Sequence, residues 1–175
     1  MTASQRQSAS QGQPAPRDAG QPQAGPPGWR VIRLHHVAFA HDDGEAPGLL
    51  GDLLGLGCAH TESADGFTER MLPAGDSYLQ LLQATGPGTV ERFLARHGPG
   101  LHHVAFEVDD VDVAVSDLRG RGVRLVDEAP RNGGMGTRIA FIHPAAIPGL
   151  LVELVESPRP EPPGAGVRQA GKAER

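Results

Sequence analysis

Leu34-His35-His36-Val37-Ala38-Phe39 recurs, residue for residue, as Leu101-His102-His103-Val104-Ala105-Phe106. Six consecutive identities that include a His pair do not arise by chance in a chain of 175 residues. The copies begin at positions 34 and 101, a spacing too long for a solenoid repeat and suited to a duplicated half-domain.

Both copies are followed by the same grammar. After the first comes a short helix over 45–54, weakened by Pro47, Gly48 and Gly51, and then apolar runs at 58–62, 67–72 and 77–83. After the second comes a helix over 111–121, whose Val111, Val115 and Leu118 fall at helical spacing, and then runs at 123–126, 137–142 and 149–156. A helix over 89–96, ended by Gly98-Pro99-Gly100, joins the halves. The reading is an α+β fold of two βαβββ modules, 30–84 and 100–156, with the linker helix within 87–98. Together they form a single domain over 29–156.

The flanks differ in kind. Residues 1–28 contain no Val, Ile, Leu or Phe, and residues 157–175 contain only Val167 of that set. Such segments bury too little to offset the entropy of ordering, so both are expected to be disordered tails. No stretch has the length of a membrane span or the make-up of a signal peptide. A net charge of −5 without a basic, aromatic-studded stripe argues against nucleic acid as a partner. Cys58 has no second cysteine to pair with, which fits a reducing compartment; a cytoplasmic domain is expected.

Strand alternation sorts the repeated residues onto two faces. Val37 and Phe39, and in the second copy Val104, Phe106 and Val108, should meet the helices. His36, Ala38 and Ala40 lie opposite, as do His103, Ala105 and Glu107. A histidine followed by small residues, twice over, suggests a concave site. The last strand of each half adds a polar residue among aliphatics, Gln80 in 77–83 and Glu153 in 149–156. Two imidazoles, an amide oxygen and a carboxylate suit a divalent first-row ion with positions left for water or substrate. The metal set is therefore His36, Gln80, His103 and Glu153. His35 and His102 have the opposite strand phase, and with His41, His60, His97 and His143 are read as structural.

Paired βαβββ modules with His on the first strand and Gln or Glu on the last resemble the vicinal-oxygen-chelate (glyoxalase/dioxygenase) superfamily. Within it the chain is most similar to the methylmalonyl-CoA epimerase family. The matching segments include Gly66-Phe-Thr-Glu-Arg-Met-Leu72, Ser77-Tyr-Leu-Gln-Leu-Leu-Gln83, Gly100-Leu-His-His-Val-Ala-Phe-Glu-Val108 and Gly149-Leu-Leu-Val-Glu-Leu154. The resemblance spans residues 30–156 and implies the same four metal ligands. It also implies Glu69 and Glu153 as the acid/base pair, a role that strand phase alone does not give to Glu69. The implied cofactor is a divalent ion such as Co2+, Mn2+ or Zn2+, the implied substrate an acyl-CoA, and the implied assembly a homodimer. The implied reaction is epimerisation of methylmalonyl-CoA between its 2R and 2S forms, through α-proton abstraction and a metal-stabilised enolate.

Departures gather in the first half, where His35 stands in place of the family's usual Asp and the helix is short and glycine-rich. Alternatives are a glyoxalase-like lyase or isomerase, a divergent relative acting on another CoA ester, and a non-catalytic binding protein. An extradiol dioxygenase, which wants two His and one carboxylate with open positions, fits a four-ligand set less well.

Overall fold

The two copies of the repeat form the two longest strands among the described residues, β1 (Val31–His41) and β5 (Gly100–Val108). They run antiparallel, with Val37 opposite Val104. The computed structural model describes residues 28–42, 46–64 and 66–158. Apart from residues 28, 157 and 158, the tails expected to be disordered lie outside the described residues.

Around β1 are α1 (Ala46–Leu54), β2 (His60–Ala64), β3 (Phe67–Ala74) and β4 (Ser77–Ala84). The linker helix is α2 (Thr89–His97), and β5 is followed by α3 (Val111–Gly120), β6 (Arg131–Asn132), β7 (Arg138–Ile142) and β8 (Val152–Glu156). The described strands form one sheet ordered β2-β3-β4-β1-β5-β8-β7-β6. The order reads the same outward from the β1–β5 seam in either direction. β4 lies parallel to β1 and β8 parallel to β5, with Ala38 beside Gln80 and Ala105 beside Glu153.

Helix α3 begins at Asp110, whose carboxylate accepts a hydrogen bond from the Val113 amide at 2.9 Å. Its Val111, Ala114 and Val115 are buried against Val108, Ala140, Ile142, Val152 and Leu154. Each fully buried Val contributes about 1.5–3 kcal/mol, so this contact anchors the second module. Trp29 closes the cluster's edge, its indole N–H donating to Asp117 at 3.0 Å.

The first module departs from the expectation. Three α1 leucines, Leu49, Leu53 and Leu54, remain exposed, and so does Phe39 at 41%. This helix therefore supplies no counterpart to the Val111–Val115 face, and Phe39 is not covered as its counterpart Phe106 is. Nor do the alanines leave a void. Val90 of α2 packs with Ala38, Ala40 and Leu82, while Ile139, Val155 and Phe141 cover Ala105.

The strand expected over 123–126 is not formed; Leu125 makes only an isolated bridge to Ile142. Asp127 turns its carboxylate onto the Phe141 amide at 2.8 Å, ending the pairing, and Pro130 has no amide to extend it. Arg131–Asn132 takes the edge position instead.

Candidate metal centre and active site

Two rows of neighbouring positions cross the centre of the sheet. In one, Ala38 of β1 stands between Gln80 of β4 and His103 of β5; in the other, Ala105 of β5 stands between His36 of β1 and Glu153 of β8. Adjacent strands lie about 4.8 Å apart, so residues two strands apart meet only if the side chain between them is small. Alanine at both central places lets four long side chains lean together.

They do converge. His36 Nε2 lies 2.9 Å from His103 Nε2, and Glu153 Oε2 lies 3.1 Å from the first and 3.3 Å from the second. All three residues are buried. Both imidazoles approach Glu153 Oε2 at ionic range without aligned hydrogen-bond geometry, and that oxygen has no hydrogen-bond partner. Burial opposes the charge on Glu153, but the two imidazoles outweigh it and hold the carboxyl at about 2.

Gln80 completes the group from the other side. Its side-chain amide nitrogen donates to Glu69 Oε2 at 2.7 Å, and its oxygen is buried without a partner. The donor to a carboxylate must be the NH2 end, so the amide oxygen is the end left free. Buried oxygens without partners are costly, and the Glu153 oxygen beside two ring nitrogens fits a divalent cation. His36, His103 and Glu153 could hold such an ion directly, with Gln80 Oε1 as a fourth donor.

Glu69 stands on β3 and faces the cleft with Phe67 and Met71. Its carboxyl is pushed up from the usual range, first by burial, then by the charges of Glu62 and Glu153. Glu62 lies opposite it on β2. The β6–β7 loop closes over this wall: the Met135 amide donates to Glu62 at 3.2 Å. Gly134 lies so close to Glu69 that an added Cβ would meet Oε1 at 2.1 Å. The cleft holds about 650 Å³ and is lined on its other side by Arg131, Phe141 and Val155. Arg131 stacks over the Phe141 ring at 5.6 Å. Arg138 is instead held on the surface by Asp112.

A family model, that of the Glyoxalase/Bleomycin resistance protein/Dioxygenase superfamily, matches residues 34–141. The chain belongs to that superfamily. Within it, the chain is 34% identical over 141 residues to the mitochondrial methylmalonyl-CoA epimerase of Bos taurus, covering 78% of this chain and 80% of the relative. It is 33% identical over 130 residues to an ethylmalonyl-CoA/methylmalonyl-CoA epimerase of Cereibacter sphaeroides, covering 71% and 97%. A solved methylmalonyl-CoA epimerase in complex with methylmalonyl-CoA and NH4+ superposes with a TM-score of 0.70 at 39% identity, covering 73% of this chain and 96% of that one. The chain is thus a superfamily enzyme of the isomerase class, an epimerase by kinship.

Membership accounts for the α+β fold of paired modules and for the resemblance read from the repeat. Of the residues nominated from sequence, the structure brings His36, His103 and Glu153 to one point, with Gln80 bridging to Glu69. It also brings in two that strand phase had set aside. His35 and His102 both line the cleft, beside His36 and His103. Burial first, and the neighbouring imidazole second, lower each of them to about 4. The signal for them was present in the repeat, which duplicates both histidines of each pair.

Proposed function

We propose that this chain catalyses the metal-dependent epimerisation of methylmalonyl-CoA, interconverting its 2R and 2S forms. The observation that carries the proposal is the Gln80 side chain, which donates to a raised carboxyl, Glu69, and keeps a free buried oxygen in the cleft that His36, His103 and Glu153 also line. Epimerisation at the carbon between a thioester and a carboxylate needs those two functions side by side. The proposed ligands are His36, Gln80, His103 and Glu153, with Co2+, Mn2+ or Zn2+ as the ion. Bound there, the ion would act as a Lewis acid toward the negative charge that develops as the α-proton leaves.

Glu69 takes one face of the α-carbon in this reading. A carboxyl lifted toward the working pH both accepts a proton and returns it, and a positioned group of this kind contributes about 10²–10⁴-fold. Glu153 takes the opposite face of the α-carbon. In each inversion one carboxylate removes the α-proton and the other, entering the turnover protonated, delivers its proton to the opposite face, so the two exchange roles between the two directions. Phe67, Met71 and Phe141 keep water from the reacting carbon, and the cleft volume lies in the usual range for a small ligand. The CoA tail would extend from the open mouth.

We also read the chain as a homodimer in a reducing, cytoplasmic setting. Phe39 and Leu101 pair on adjacent strands, both exposed, and α1 adds exposed leucines, an apolar surface that suits a second copy. None of the described helices is long and apolar enough to cross a membrane. Sedimentation at micromolar concentration would show twice the chain mass.

The activity test starts from single-enantiomer methylmalonyl-CoA and metal-loaded protein, with chiral analysis of the product. Conversion to an equal mixture supports the proposal. An unchanged enantiomer, with isomerisation of the methylglyoxal–thiol adduct instead, would favour a glyoxalase-like reaction.

A further inference from the structure

Each cleft imidazole has a second imidazole behind it. His35 Nδ1 lies 2.8 Å from His36 Nδ1, and His102 Nδ1 lies 2.9 Å from His103 Nδ1. The rings of each pair meet edge to face, with centroids 5.1 and 5.2 Å apart. Consecutive residues in a regular strand point to opposite faces, so these contacts need an explanation.

The β1–β5 register supplies it. Leu34 pairs with Phe106 and His36 with Ala105, which leaves His35 as an extra residue in β1. Ala38 pairs with His103 and Phe39 with Leu101, which leaves His102 as an extra residue in β5. Both are bulge positions, where a strand re-aims a side chain. The duplicated sequence thus carries a duplicated bulge, and each turns its histidine onto the neighbouring imidazole.

Two ring nitrogens at 2.8–2.9 Å share one proton. His36 and His103 direct their Nε2 atoms at Glu153 and at each other. An Nε2 that gives its lone pair to a cation must leave the ring's proton on Nδ1. We propose that His35 and His102 are positioning residues: each accepts the Nδ1–H of its neighbour, fixing the tautomer and aim of the two cation-facing imidazoles. The direction of these bonds rests on the cation reading proposed above. A neutral imidazole in this role holds the ring without placing another negative charge behind the site. Loss of such an outer partner weakens metal affinity by about 10–100-fold.

Two measurements on the full-length protein test this. In metal-free protein, 15N-edited NMR should show two slowly exchanging imidazole N–H signals, one lost in His35→Leu and the other in His102→Leu. Loading with zinc should leave His35 and His102 protonated on Nε2 alone. Chelator competition should give zinc affinities about 10–100-fold weaker in each Leu variant. In His35→Asn and His102→Asn, which keep an acceptor oxygen, most of the affinity should return. Leu variants that bind zinc like the unaltered chain, or Nδ1 protonation of His35 and His102 in the loaded protein, would overturn the inference. Should the unaltered chain bind no zinc at all, the cation reading falls with the bond directions, while the metal-free spectrum still decides whether the paired imidazoles are bonded.

Discussion

Gln80 donates its side-chain amide to Glu69 at 2.7 Å, and that bond leaves the amide oxygen as the free end. The proposed base and the proposed cation site are therefore linked through one side chain, and their roles separate on mutation. Glu69→Ala should lower kcat by about 10²–10⁴-fold, the usual contribution of a general base. Zinc content, measured by elemental analysis, should stay near one per chain because His36, His103 and Glu153 are untouched. Loss of metal together with activity would recast Glu69 as a structural prop.

His103→Ala should have the opposite signature, with bound metal lost and the fold kept. Chelation of the unaltered protein should likewise abolish turnover, and Co2+, Mn2+ or Zn2+ should restore it. Binding to the native state alone adds about 2.7 kcal/mol of stability at a free metal concentration 100 times Kd, which a thermal scan would detect as a raised Tm.

Ala105 is fully buried between His36 and Glu153, beneath Ile139 and Val155. Ala105→Leu should cost about 1–3 kcal/mol through overpacking. It should also spread the two flanking side chains and weaken zinc binding, whereas a surface change such as Arg96→Lys should do neither. Urea melts and chelator competition on the same samples would show both effects.

The paired histidines give a pH dependence. Burial and the neighbouring imidazole lower His35 and His102 to about 4 in the fold, against 6.5 for a free imidazole. Between those values the unfolded chain binds more protons than the folded one, so stability rises with pH across the window and is lost on acidification through it. Glu69, raised by burial, works the other way as pH rises above the ordinary carboxylate range. In metal-free protein, urea unfolding at pH 7 and pH 5 should show the loss, and a His35→Asn, His102→Asn double variant should flatten it. An equal pH slope in both proteins would contradict the lowered imidazoles.

Much of this was legible in the chain because the repeat carries its own register. Identical strands must occupy equivalent places, which aligned His36 with His103, and the polar residue among aliphatics in the last strand of each half matched Gln80 with Glu153. What strand phase could not deliver were the bulges. Alternation sent His35 and His102 to the far face, and only the Leu34–Phe106 and Ala38–His103 pairings reveal the extra residues. Glu69 was hidden for a different reason: it shares its face with Phe67 and Met71, a pattern that reads as core until β2 and the Gly134 loop are seen to wall a cleft. The strand expected over 123–126 failed because apolar composition says nothing of Asp127, whose side chain takes a backbone amide. The first helix was placed well, but its failure to cover Phe39 depends on tertiary packing that nine residues with two internal glycines do not announce.

The measurement that bears most directly on the central claim is α-proton exchange. Protein loaded in turn with cobalt, manganese or zinc would be mixed with methylmalonyl-CoA in D2O and followed by proton NMR, with Glu69→Ala alongside. Loss of the α-proton signal that requires metal and disappears in the variant is the predicted result. An unchanged α-proton signal in protein shown to carry metal would contradict the assignment of methylmalonyl-CoA as the substrate.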